Sequence, residues 1–88
     1  MFSLIELEND FEKGLESFER GDHHSAIYYY TKVIESNPTY SAAYYNRGNA
    51  YTHIKEFREA VPNFSRAIEI DPGMAAAYFN RVTVFRNL

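Results

Sequence analysis

The chain has 88 residues, 45% hydrophobic and 17% aromatic, with no cysteine and a formal charge of −3. That is apolar enough for an ordered domain, yet small enough that one core is only just sufficient. The missing cysteines exclude disulfides and thiolate metal sites, and the acidic balance gives no electrostatic pull toward nucleic acid or an anionic membrane.

The stretch Met1-Phe2-Ser3-Leu4-Ile5-Glu6 lacks the basic start and the continuous apolar run of a signal peptide. Instead, Ser3 and Glu6 have the spacing of a capping box, with Phe2 and Leu7 placed as its hydrophobic staple. Leu4, Leu7, Phe11, Leu15 and Phe18 then recur at helical spacing. Gly21-Asp22 ends this first helix and caps the next. The second helix carries Ala26, Ile27, Tyr30, Val33 and Ile34, and must stop before Pro38. Asn37-Pro38 is expected to cap the third, which carries Ala43, Tyr44, Ala50, Tyr51 and Ile54. Lys55 stands where the first unit has Gly21, so a left-handed turn there would cost on the order of 1 kcal/mol. The fourth helix holds Ala60, Val61, Phe64, Ala67, Ile68 and Ile70, with Pro62 expected to kink its start. Asp71-Pro72 repeats the stop-and-cap signal, and a fifth helix begins near Met74.

The chain repeats itself every 34 residues. Aligning 7–40 with 41–74 puts Gly14 on Gly48, Ala26 on Ala60, Ile34 on Ile68 and Pro38 on Pro72. A third, partial copy over 75–88 places Tyr78, Asn80 and Arg81 on Tyr44, Asn46 and Arg47. A period in this range means stacked helical hairpins, each needing a neighbour to bury its apolar face.

The second unit reads Tyr44, Gly48, Tyr51, Ala60, Phe64 and Pro72, a pattern that resembles the tetratricopeptide repeat (TPR). The first unit keeps Gly14, Ala26, Tyr30 and Pro38, but has Asp10 and Ser17 where aromatics are usual; the partial unit has Val82 in the place of the small residue. The resemblance implies an all-α solenoid of two hairpins plus one further helix, one domain over 1–88. It also implies a non-catalytic scaffold that binds a peptide or helix of another protein along the first helices of its units. Transferred residue by residue, the groove is Phe11, Leu15 and Phe18, then Tyr45, Asn46, Asn49 and His53, then Phe79 and Asn80. Amides that donate and accept, beside rigid aromatics, suit a peptide backbone with apolar side chains.

One branch of the family holds a partner's terminal carboxylate with Lys, Asn and Arg. Here Asn46 fits that clamp, but Phe11, Leu15, Ala76 and Asn80 replace its cations and first amide. Arg47 and Arg81 are expected to lie along the hairpins with their heads in water. His23 and His24 are adjacent and His53 is a whole unit away, so no metal site is expected. No cofactor and no catalysis are expected either: there is no cysteine nucleophile, no serine-histidine-acid spacing and no glycine-rich phosphate loop. Glu6, Glu8, Glu12, Glu16 and Glu19 read as a solvated face.

The fifth helix carries Tyr78, Val82, Phe85 and Leu88 where a following helix would lie. The expectations are a fragment of a longer array, or a homodimer or other partner on that stripe. A single-stranded RNA reader of the related 35-residue hairpin type is the remaining reading; the period and the acidic balance oppose it. With no apolar run long enough to cross a bilayer, the expected setting is soluble and cytoplasmic.

Overall fold

A computed structural model describes residues 3–88, which form five helices: α1 (Leu4–Glu19), α2 (His23–Ser36), α3 (Ser41–His53), α4 (Phe57–Ile70) and α5 (Ala75–Phe85). Each helix packs on the next in chain order, and α3 also touches α5. The result is an all-α row of hairpins with no strand among the described residues.

Ser3 supplies its half of the predicted capping box, its Oγ accepting from the Glu6 N–H at 3.1 Å. Phe2, the other half of the predicted staple, lies outside the described residues. α1 ends on Gly21 at φ 78°, with the Asp22 N–H bonded to the Ser17 carbonyl at 2.8 Å. Asp22 then caps α2 by accepting from the Ser25 N–H. α3 ends in the same wrapped turn, but on Lys55 at φ 62°, with the Glu56 N–H bonded to the Tyr51 carbonyl at 2.9 Å. The side chain that glycine spares is paid for there in backbone strain.

Two expectations about helix ends need correction. Asn37 does not cap α3: its Oδ1 accepts from the Thr39 N–H and hydroxyl, and the helix starts at Ser41 without a side-chain cap. Asp71 behaves alike, folding back to the Gly73 N–H before α5 starts at Ala75. A side-chain oxygen one residue before proline reaches the donor two residues on, and so builds a turn.

The inward side of α1 is narrower than its apolar stripe. Leu7, Asp10, Gly14 and Ser17 are buried, whereas Leu4 and Leu15 of the predicted stripe are exposed. The cause is the close approach of α2. A Cβ on Gly14 would lie 2.5 Å from the Tyr30 ring, and one on Gly48 would lie 2.8 Å from the Phe64 ring. Tyr30 and Phe64 are fully buried, with Ala26, Ala60, Ala43, Ala50, Ala67 and Ala77 letting the backbones close around them. Of the Tyr28-Tyr29-Tyr30 run, Tyr30 points inward as expected while Tyr28 is exposed.

Candidate functional site

α1, α3 and α5 share one side of the row. Their small residues point back into the hairpins, so the residues roughly opposite face a shallow groove. One pocket of about 60 Å³ is lined by Leu15, Phe18, Tyr30, Asn46 and Asn49. A second of about 200 Å³ is lined by Asn49, Thr52, His53, Asn80, Thr83 and Val84. They share Asn49, and together run from α1 across α3 to α5.

The amides are held in place. Asn80 Nδ2 donates to the Tyr45 hydroxyl at 3.1 Å and to Asn49 Oδ1 at 3.0 Å, joining α5 to α3. Tyr45 is anchored in turn against the Phe64 ring, with centroids 5.9 Å apart. Phe79 stands 73% exposed beside them. On α1, Leu15 is exposed at the pocket mouth, but Phe11 is half-buried against Tyr30 and Tyr40, 5.9 and 5.1 Å between centroids. Phe11 is thus brought to the groove wall mainly as packing.

Histidine placement overturns the expectation that His53 sits far from His23. The two rings stack with centroids 4.7 Å apart, and Phe18 meets both edge-on at 4.9 and 5.0 Å. Superhelical stacking brings the start of α2 beside the end of α3, which linear spacing does not reveal. His23 Nδ1 is buried without a hydrogen-bond partner. Burial pulls the His23 pKa below its usual value, and the neighbouring His53 lowers it further. Among the described residues, no group of three or more histidines or carboxylates is placed to hold a metal.

Sequence reasoning missed Tyr30 as a pocket residue, because its ring is core. Its hydroxyl reaches the pocket: burial pushes its pKa up to about 12, with Asn46 opposing and Glu19 adding to the rise. The available signal was a tyrosine where the second unit has Phe64. Arg47 and Arg81 also depart from expectation, since their heads are bonded to neighbouring helices. Arg47 Nε donates to Asn63 Oδ1 at 2.7 Å and Nη1 to Thr31 Oγ1 at 3.2 Å, tying α3 to α4 and α2. Arg81 Nη1 donates to Ser65 Oγ at 3.1 Å, repeating the Thr31 contact one period later. Wider hollows of about 440 and 340 Å³ lie on the far side of α3 and at the α4 start, open and lined largely by charged and polar side chains.

A tetratricopeptide repeat model matches residues 41–74, and a TPR repeat model matches residues 14–53. The chain belongs to the tetratricopeptide repeat family. Over 63 residues this TPR chain is 40% identical to human sperm-associated antigen 1, a match covering 65% of this chain and 7% of that protein. It is 31% identical to the TPR2B domain of yeast Sti1 in complex with pHsp70, at a TM-score of 0.87 over 91% of this chain and 64% of that one. Against the TPR2AB domain of yeast Sti1 in complex with pHSP90 it is 30% identical, at a TM-score of 0.89 over 93% of this chain and 32% of that one. This TPR chain therefore spans less than two thirds of each of these relatives. No helix among its described residues is long and apolar enough to cross a membrane.

Proposed function

We infer that this chain is a non-catalytic interaction module whose repeats at 7–40 and 41–74, with the helix that follows, hold a peptide or helix of another protein in the groove of α1, α3 and α5. The observation that carries this reading is the line of two pockets sharing Asn49, walled by rigid rings and by amides fixed to one another. Tyr45, Asn46, Asn49, His53, Phe79 and Asn80 supply donors, acceptors and contact area, with Leu15 and Phe18 as the apolar end and Phe11 behind them. The similar TPR domains of yeast Sti1 in complex with pHsp70 and pHSP90 support a polypeptide ligand. A small, partly polar contact of this kind fits an affinity on the order of micromolar.

The test is affinity capture with the wild-type chain and with an Asn46→Ala/Asn80→Ala variant, helicity being checked by circular dichroism. Proteins retained by the wild type and lost from a folded variant are the expected result. Equal retention removes the groove assignment.

A second reading is favoured by the exposed stripe of Tyr78, Val82, Phe85 and Leu88 on α5: self-association through that face. Sedimentation velocity across a hundredfold concentration range decides it. A mass that stays monomeric throughout eliminates this reading.

A further inference from the structure

We propose that the groove selects a basic amphipathic segment, one that alternates apolar and lysine or arginine side chains, and rejects acidic ones. This rests on the groove reading above and adds the chemistry of the occupant.

The argument starts from spacing on α1. Glu8, Glu12, Leu15 and Glu19 follow one another at four, three and four residues, which places them on one ridge of the helix. Leu15 lines the smaller pocket, so this ridge borders the groove. Glu19, one turn beyond Leu15, adds to the rise in the Tyr30 pKa that burial chiefly causes. All three glutamates are exposed, and no ion pair joins them to a cation among the described residues. Leu4 continues the ridge by a further turn and is also exposed.

Three cations of the repeat are placed elsewhere, while Arg86, the period mate of Thr52, lies past the end of α5 at the other end of the row. Lys13, Arg47 and Arg81 recur at intervals of 34, and each is turned away from the groove. Lys13 Nζ lies over the Tyr29 ring at 5.8 Å, Arg47 bonds Asn63 and Thr31, and Arg81 bonds Ser65. Holding them on the α2 and α4 side leaves Glu8, Glu12 and Glu19 on α1 without an ion pair among the described residues, with Arg20 as the cation at the helix end. An incoming carboxylate would meet Glu12 and Glu19 beside Leu15, with the amide of Asn46 but no cation there to receive it. An incoming ammonium or guanidinium would find two or three partners, while its apolar neighbours reach Leu15, Phe18 and Phe79. Complementary charge at exposed positions mainly sets partner choice and association rate.

The experiment uses three labelled twelve-residue peptides of identical leucine and alanine content, carrying lysine, glutamine or glutamate at the remaining positions. Binding to the full chain is followed by fluorescence anisotropy at 50 and 500 mM salt. The lysine peptide is expected to bind roughly 5- to 10-fold tighter than the glutamine peptide at low salt, and to lose that margin at high salt. A Glu12→Lys/Glu19→Lys variant should invert the order in favour of the glutamate peptide. A Glu35→Lys/Glu59→Lys variant has the same net charge change on α2 and α4, and should leave the order unchanged. Equal effects of the two variants, or equal binding of the lysine and glutamine peptides, overturn the charge selection. A Leu15→Asp/Asn80→Ala variant reports on the groove itself: if it weakens a glutamine or glutamate peptide that binds as well as the lysine one, the groove reading survives and only the selection fails. If it weakens no peptide, both fail together.

Discussion

Gly14 lies under the Tyr30 ring as Gly48 lies under Phe64, and both hairpins close around buried alanines at Ala26 and Ala60. On the side assigned above to the proposed groove, the same two hairpins differ. α1 presents Glu12, Leu15 and Glu19, whereas α3 presents Asn46, Asn49 and His53. Residues facing the partner helix are confined by close contact, while those facing the groove meet only solvent or a ligand and are free to diverge. The third copy departs on the confined side: Val82 stands at the Gly48 position, exposed on α5. A helix laid there as α4 lies on α3 would set its phenylalanine against a β-branched side chain, so α5 cannot repeat the α3–α4 packing unchanged.

The hardest break of the likeness between hairpins is removal of a ring. Phe64→Ala should cost about 3–5 kcal/mol, because the ring is fully buried between α3, α4 and α5. Urea denaturation measures it, and a cost below 1 kcal/mol would show that the two hairpins do not depend on these rings alike. Adding a methyl from the other side is the smaller, converse change. Gly14→Ala and Gly48→Ala should each cost roughly 1–3 kcal/mol through overpacking, Gly14→Ala more, since its Cβ would meet Tyr30 at 2.5 Å rather than 2.8 Å. Pairing Gly48→Ala with Phe64→Leu should cost less than the sum of the two single changes, as expected of residues that share one contact.

The connecting turns give a sharper comparison with a weaker effect. Both helices end in the same left-handed wrap, one on Gly21 and one on Lys55. Lys55→Gly should therefore stabilise the chain by about 1 kcal/mol, and Gly21→Ala should destabilise it by a similar amount. Thermal melts of both variants decide whether the strain at Lys55 is real or relieved by its surroundings.

The Gly21 turn was legible before any coordinates, as were the five helices and the 34-residue period, because each depends on residues close in sequence or one period apart. What the sequence hid depends on how units stack. The apolar spacing on α1 marked a helix but not its buried side: Gly14 draws α2 in so tightly that this side is Leu7, Asp10, Gly14 and Ser17, while Leu15, assigned to the groove, is exposed. The arginine heads were assigned to water because nothing in a linear pattern shows that Thr31 and Asn63 flank Arg47 from two different helices. At the proposed groove, Asn80 bonds Tyr45 and Asn49, contacts between helices that the transferred pattern did not reveal, and Phe11 is largely packed against Tyr30 and Tyr40. The meeting of His23 with His53 had no sequence signal at all.

That meeting sets the smallest expected effect, and one that distinguishes the two hairpins by pH. His23 stacks on His53 and against the edge of Phe18 at the junction of the first hairpin with the second; the matching first-helix and second-helix positions of the second hairpin are Thr52 and Phe57, which do not titrate. Burial and then His53 lower the folded pKa of His23, with Asp22 pulling it up and His24 pulling it down. The unfolded chain, with His23 near its ordinary value of about 6.5, therefore takes up protons first as pH falls. Stability contributed by the neutral ring is fully present above that value and is lost as pH drops through the lowered folded pKa. The urea midpoint should accordingly decline between pH 7.5 and 5. Asp22, whose carboxyl is held below its usual value by hydrogen bonds from Ser25, contributes its own loss only at lower pH. His23→Phe keeps a ring against Phe18 while removing both the titrating group and the unpartnered Nδ1, so it should flatten the decline without lowering the midpoint at pH 7.5. A variant that declines as steeply as the wild type would assign the pH response to other groups.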